Sequence, residues 1–398
     1  MKPKDIKLYA LGSLLVVIAL FGTIELSTRI ISWLTGKGFL LSLHEYEPYD
    51  RYVERIYQWH PFTGITFRPN ITFKGSHPNQ ANHSPIIVDH HGFLSDGQTL
   101  TSERSADEIR IATIGASTTA NINLSYSENW PGYLGNLVQK TFPNKKVRVI
   151  NAGVPGFDTA QSVGNLALRV MPLKPDIVII YHAYNDLKAI NQKAKFRPDY
   201  SHIHPKPWGY MPKPNIVIRC LNHSMVYVRA KTEYRAYKKE KLMLQKIGKL
   251  FSGENRLNYI PKEAKKTFEQ HVRILVSIAQ SGGAHVILSS FATLHDTNST
   301  VREIKQYKQT SKLKKTELLL IGYFVSGLTL DAIFTGINQY NETLRAIAVE
   351  NHCGWVDNAS MIPHMERYFV DRVHFSHEGA ALMAKNLYPT VLQELKKM

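Results

Sequence analysis

From residue 109 onward the apolar positions switch repeatedly between the two-residue period of a strand and the 3.6-residue period of a helix. That switching is expected of parallel βαβ units. Residues 109–114 alternate as a first strand and run straight into Gly115-Ala116-Ser117. Helical spacing over 130–141 precedes a second strand at 146–151, and 160–170 reads as the next helix. The unbroken apolar run over 175–181 is that of a strand buried on both faces. Residues 261–280 carry Phe268, Val272, Leu275 and Ile278 at helical spacing and stop at Gly282-Gly283. A fourth strand at 284–291, a helix at 337–350, a short fifth strand at 354–357 and a closing helix at 377–397 complete the series.

The chain ahead of this series has another pattern. Residues 8–24 are free of charge and strongly apolar, near the lower limit of the about 17–25 residues that span a bilayer. Lys2, Lys4 and Lys7 precede them, which by the positive-inside rule leaves the start in the cytoplasm and the remainder outside. No small-x-small cleavage site follows, and Trp33 suits an interfacial anchor, so 1–37 is read as an uncleaved signal anchor in the cytoplasmic (inner) membrane. Residues 38–107 are rich in aromatics (Tyr46, Tyr49, Tyr52, Tyr57, Trp59, Phe67) and read as a juxtamembrane extension that packs on the main domain. Within it, 86–93 looks like a short strand closing on a turn.

The main domain, 108–398, carries two insertions, at about 188–260 and 293–335. In the first, 231–250 reads as a lysine-rich amphipathic helix, either a solvated face over an apolar stripe or a contact with anionic lipid head groups. In the second, 318–333 is apolar but short and contains Asp331. A second span there would put the C-terminus and Ser117 on opposite sides of the membrane, so a lid or membrane-facing flap is expected instead.

Composition narrows the class. The 398 residues are 43% hydrophobic and 20% charged, as in globular proteins. The formal net charge of +17 allows nucleic acid, an anionic lipid surface or an acidic glycan as partner. Zinc-finger spacing and a phosphate-binding loop are both missing from the sequence, and a domain outside the membrane seldom meets nucleic acid. The histidines of 38–107 lack the paired spacing of metal ligands. Cys220 and Cys353, far apart in sequence, are read as free thiols.

Ser117 follows a central strand, where the crevice beyond the strand ends of an open sheet binds ligands. A serine nucleophile needs a base, a group to orient that base, and donors for the developing oxyanion. Asp371 and His374 stand three residues apart just before the last helix, so a tight turn can aim the carboxylate at one imidazole nitrogen and leave the other for Ser117. After the second strand comes Asn151-Ala152-Gly153-Val154-Pro155-Gly156, and after the third Tyr181-His182-Ala183-Tyr184-Asn185-Asp186. Gly156 or Gly153 and the Asn185 amide are the candidate donors there.

Taken in order, these four blocks resemble the SGNH (GDSL-type) hydrolase family, over roughly 109–190 and 284–395. The resemblance implies an α/β fold: a flavodoxin-like three-layer α/β/α domain with a five-stranded parallel sheet, here behind one transmembrane helix. It implies Ser117 as nucleophile, His374 as base and Asp371 as orienting acid. Ser117, Gly156 and Asn185 would be the oxyanion donors, with Gly156 preferred to Gly153 because the family glycine falls about five residues beyond the asparagine that ends the strand. Two blocks depart from the pattern. Gly-Asp-Ser-Leu is Gly115-Ala116-Ser117-Thr118, and Gly-x-Asn-Asp is Ala183-Tyr184-Asn185-Asp186, whose Ala183 methyl narrows the oxyanion site. The stretches QWHPFTG and DHHGFLSD are similar to the lead-in of membrane-anchored envelope members. The implied activity is a serine esterase at the outer, periplasmic face of the membrane, acting on O-acetyl or other acyl esters of envelope glycan or lipid, without metal or organic cofactor. The same residues would serve an O-acyltransferase of exported polysaccharide, and a non-catalytic scaffold holding acidic glycan or lipid is the reading from another class.

Overall fold

In the computed structural model, the residues described are 3–34, 56–73, 85–98, 100, 101, 103–190, 195–204, 216–221, 223–231, 233–235, 237, 238, 241, 256–299, 317 and 320–398. The chain forms two compact units, Met1–Arg55 with Tyr210–Gln245, and Ile56–Gly209 with Lys246–Met398. Expectations for Tyr46, Tyr49 and Tyr52, for 242–255 and for the Cys220 side chain fall outside the described residues.

The larger unit is built on β6 (Glu108–Gly115), every residue of which is buried. It pairs in parallel with β7 (Lys146–Asn151) on one side and β8 (Ile177–Tyr181) on the other. Beyond β8 lie β9 (His285–Ser289) and β10 (Gly354–Val356), also parallel. The parallel strands thus run in the order second, first, third, fourth, fifth, the order of a doubly wound sheet with a switch point beside its first strand. Helices α2 (Trp130–Thr141) and α6 (His377–Lys396) pack together, and α4 (Lys262–Ser281) packs with α5 (Leu330–Glu350). Ile177–Ile180 of β8 are fully buried, and Phe268, Ile337, Leu387 and Val391 from the helices join the same core.

The sheet is nonetheless eight-stranded and mixed rather than five-stranded and parallel. Three short strands, β3 (Ile71–Phe73), β4 (Ile86–Val88) and β5 (Leu94–Ser95), continue it antiparallel from the β7 edge through the pair Leu94–Asn151. They meet that edge only at Asn151, the last residue of β7. A separate hairpin, β1 (Tyr57–His60) and β2 (Gly64–Phe67), turns through the HPFTG stretch. Its Thr63 carbonyl accepts from Gln161 Nε2 of α3 (Thr159–Asn165) at 3.0 Å. The DHHGF turn is structural as well: Asp89 Oδ1 accepts from the His91 and Phe93 amides, and Arg169 lies over the Phe93 ring.

The described part of the apolar stretch expected as a lid or flap, 320–333, packs into the core instead. Ile321, Val325, Leu328 and Ile333 are fully buried, while Phe324 is exposed. Asp331 marks the first turn of α5, whose N-cap Thr329 accepts from the Ala332 amide. The helix expected from 337 therefore begins seven residues earlier.

In the smaller unit, α1 (Pro3–Leu34) contains a 26-residue stretch, Tyr9–Leu34, long and apolar enough to cross a membrane, with mean hydropathy 2.0. Its Glu25 accepts from Ser224 Oγ and the Met225 amide at 2.8 Å and from the Val226 amide at 3.0 Å. A carboxylate on α1 thereby caps the helical turn that starts at 225. Lys231 and Lys238 on this segment lie over the rings of Tyr227 and Tyr234.

Gly153, just past β7, sits where a Cβ would fall 2.3 Å from the Ala120 backbone nitrogen. Gly153→Ala is expected to destabilise the fold by about 1–3 kcal/mol through forced backbone displacement, read as a lowered urea midpoint of the purified full-length chain.

Candidate active site

Strand β6 ends at Gly115, and Ser117 opens a one-turn helix, Ser117–Ala120, directly beyond it. The chain reverses at Asn121, which adopts the left-handed conformation. Trp130 Nε1 ties down this turn by donating to the Thr118 carbonyl at 3.0 Å. The serine is thus held at the carboxyl end of the central strand, with its own amide in a first turn where N–H groups have no intrahelical acceptor.

From the far end of the chain, the turn before α6 brings Asp371 and His374 to it. Asp371 Oδ1 accepts from the Val373 and His374 amides at 2.9 and 2.8 Å, which makes the turn rigid. Its Oδ2 bonds His374 Nδ1 at 2.7 Å, and His374 Nε2 meets Ser117 Oγ at 2.8 Å. Burial works against the ionised Asp371 carboxyl. The charge and hydrogen bond of His374, with Arg372 and the Val373 amide, outweigh it and hold the group well below the usual carboxylate range.

Asn185 and Gly156 come from the turns after β8 and β7. Gly156 has φ +88°, a region that side chains rarely adopt, whereas Gly153 is packed against the backbone of the serine turn. The Asn185 Nδ2 group donates to the Phe157 carbonyl at 2.8 Å, which fixes the amide beside the glycine turn and leaves its second N–H free of that bond. Ser117, Asn185 and His374 line one cavity of about 40 Å³ together with Ala116, Ala183, Tyr184, Phe291 and Arg372. The Gly156 turn reaches this group through the Phe157–Asn185 bond.

A buried polar layer supports the turn. Asp158 caps α3 through the Gln161 amide and meets His204 Nε2 at 2.8 Å. Asp186, next to Asn185, accepts from the Thr159 amide and hydroxyl. Burial, followed by the neighbouring Asp158 charge, pushes the Asp186 carboxyl up to about 7. Among the described residues, no cluster of three or more potential ligands could hold a metal ion.

Sequence reasoning passed over Lys188 and Arg372. Lys188 Nζ donates to Asn185 Oδ1 at 2.5 Å, and Arg372 Nε donates to the Tyr184 hydroxyl at 3.2 Å. The available signal was position: Lys188 stands three residues after Asn185 in the same turn, and Arg372 between Asp371 and His374.

A profile of the GDSL-like lipase/acylhydrolase family matches residues 113–382, a span that includes the serine turn, the Gly156 and Asn185 turns and the Asp371–His374 turn. The chain belongs to the GDSL-like lipase/acylhydrolase family. Among solved structures, Axe2, an acetylxylan esterase from Geobacillus stearothermophilus, is similar at 17% identity and a TM-score of 0.40, over 74% of this chain and 96% of that one. A putative acylhydrolase from Bacteroides fragilis is similar at 17% identity and a TM-score of 0.40, over 74% of this chain and 92% of that one. The acetyl xylan esterase AlAXEase is similar at 13% identity and a TM-score of 0.40, over 71% and 100%. No curated protein sequence matches the chain.

The Asp186 carboxyl has a measurable consequence. An unfolded aspartate titrates near ~3.9, so between about 4 and 7 the folded chain binds the extra proton. Stability contributed by this group is therefore full at low pH and falls as pH rises across that window. Urea midpoints measured against pH should show this downward component in the wild type, and Asp186→Asn should remove it from the difference between the two curves.

Proposed function

We propose that the protein is a serine esterase of short acyl groups, with Ser117 as nucleophile, His374 as general base and Asp371 as the group that orients it. The observation that carries this reading is the continuous hydrogen-bonded line Asp371–His374–Ser117, assembled across 257 residues of sequence. Ser117 Oγ bonds to the ester carbonyl carbon as its proton passes to His374 Nε2. The carbonyl electron pair moves to oxygen, where the Ser117 amide, the Gly156 amide and Asn185 Nδ2 serve as donors. Collapse of the intermediate expels the alcohol, which takes the proton back from His374. Water activated by the same imidazole then releases the acid and restores the serine.

Cavity size supports a short acyl group. One water needs about 10–15 Å³ of such space, so about 40 Å³ admits three groups of that size, the number of heavy atoms in an acetyl. Ala183, Tyr184 and Phe291 are the apolar side chains that line this space and narrow it beside the serine. The O-acetyl groups of an envelope glycan fit this reading. With α1 as a single span and Lys2, Lys4 and Lys7 inside, the domain stands on the periplasmic side of the inner membrane, and the basic segment beyond Glu25's cap faces anionic lipid head groups. A sugar hydroxyl in place of water in the second step would make the same enzyme an O-acyltransferase.

Hydrolysis of 4-nitrophenyl acetate by the detergent-purified full-length chain should fall to background in Ser117→Ala and His374→Ala. In Asn185→Ala kcat should drop about 100–1,000-fold with the fold intact. Activity retained in Ser117→Ala would overturn the proposal. The butyrate and octanoate esters should be turned over progressively more slowly than the acetate.

A further inference from the structure

The cavity that holds Ser117 has an uneven charge. Its described lining includes the cations Lys188 and Arg372 and no carboxylate. Arg372 is compensated, because Glu317 lies at 3.2 Å and the Phe324 ring packs against its guanidinium. Lys188 is different: among the described residues no carboxylate lies within ion-pair distance of its ammonium. It has three donors, of which one goes to Asn185 Oδ1, and it stands 5.6 Å from the centre of the Tyr184 ring, another wall of the cavity. Burial, with the Arg372 charge adding to it, lowers its pKa to about 8, and the more distant Asp158 and Asp186 carboxylates only partly offset this.

Resting on the esterase reading, we infer that Lys188 is a specificity-determining residue that binds an anionic group of the substrate beside the scissile ester. The ligand chemistry is an acyl ester on a unit bearing a carboxylate or phosphate. A partly buried ammonium with no carboxylate in ion-pair contact gains more from such an anion than a surface lysine does. The bond to Asn185 fixes the ammonium next to the carbonyl oxygen's donor, so the anion is placed relative to the bond that breaks. A neutral acetylated sugar leaves this donor pair unused. A role confined to orienting Asn185 would slow every ester by the same factor, and this difference makes the inference testable.

The test compares kcat/KM at low ionic strength for acetylated oligogalacturonate, for the acetyl ester of glycerol phosphate and for neutral acetylated xylo-oligosaccharide. In the wild type at least one anionic ester should exceed the neutral one by tenfold or more, and whichever does so identifies carboxylate or phosphate as the source. In Lys188→Gln, which keeps a donor for Asn185 but loses the charge, the anionic-to-neutral ratio should fall to within about twofold of unity. Lys188→Arg should keep most of it. A wild-type ratio near one, or a ratio that Lys188→Gln leaves unchanged, overturns the inference. Calorimetric titration with the deacetylated oligogalacturonate and with glycerol phosphate makes the same comparison without turnover. Binding weakened at least fivefold in Lys188→Gln supports anion recognition even if the chain hydrolyses no ester, an outcome that would sink the esterase reading alone. Equal binding by both proteins sinks the inference.

Discussion

The site depends on one hydrogen bond, from Ser117 to His374, whose partners lie 257 residues apart. Ser117 stands two residues past the end of a wholly buried strand, and His374 ends a turn held by the two amide bonds of Asp371. The sheet order puts β6 at its centre, and α6 packs against α2 beside it. Loss of register in either place would separate the two side chains by several ångströms. The core, on this view, is the device that keeps a 2.8 Å distance.

Around that bond the protein accepts polar burial that a stable core alone would avoid. Asp158, Asp186, His182 and Thr159 are all buried beneath the donor turns. They bond to one another, to backbone amides or to a neighbouring hydroxyl: Asp186 to Thr159, Asp158 to the Gln161 amide, and His182 Nε2 to Ser162 Oγ at 2.8 Å. Burial pushes the His182 imidazole down to about 4, so it acts in this layer as a neutral hydrogen-bonding ring. The layer costs desolvation and returns a fixed Phe157 carbonyl, the acceptor that holds Asn185. Lys188 grips the same amide from its oxygen side, and both ends of Asn185 are then specified.

What could be read from sequence follows from which signals are local. The parallel strands β6, β7 and β8 are long or continuously apolar, and their bounds lie within two residues of those expected. Strands β3, β4 and β5 have two or three residues each, too few for a period; only β4 was expected, as the short strand at 86–93, and its place in the main sheet was not legible. The stretch at 318–333 failed for a different reason. Its composition suits a flap as well as a core helix, and only the Thr329 cap followed by Asp331 distinguishes a helix start from a charge inside an apolar run. At the site, Ser117 and Asn185 follow strands, Asp371 and His374 stand three apart before the last helix, and it was the order of these blocks, through its family resemblance, that singled them out. Lys188 did not stand out, because a lysine in a turn after a strand normally points to water, and only the fold shows that this one reaches Asn185.

The central claim is that Ser117 is a nucleophile activated by His374. Its most direct test is labelling of the full-length protein with a fluorophosphonate, followed by peptide mass spectrometry. The account predicts a single adduct on the peptide that contains Ser117, with labelling abolished in His374→Ala although that variant keeps the same thermal midpoint within a few degrees. An adduct on another serine, or undiminished labelling of Ser117 without His374, would contradict it.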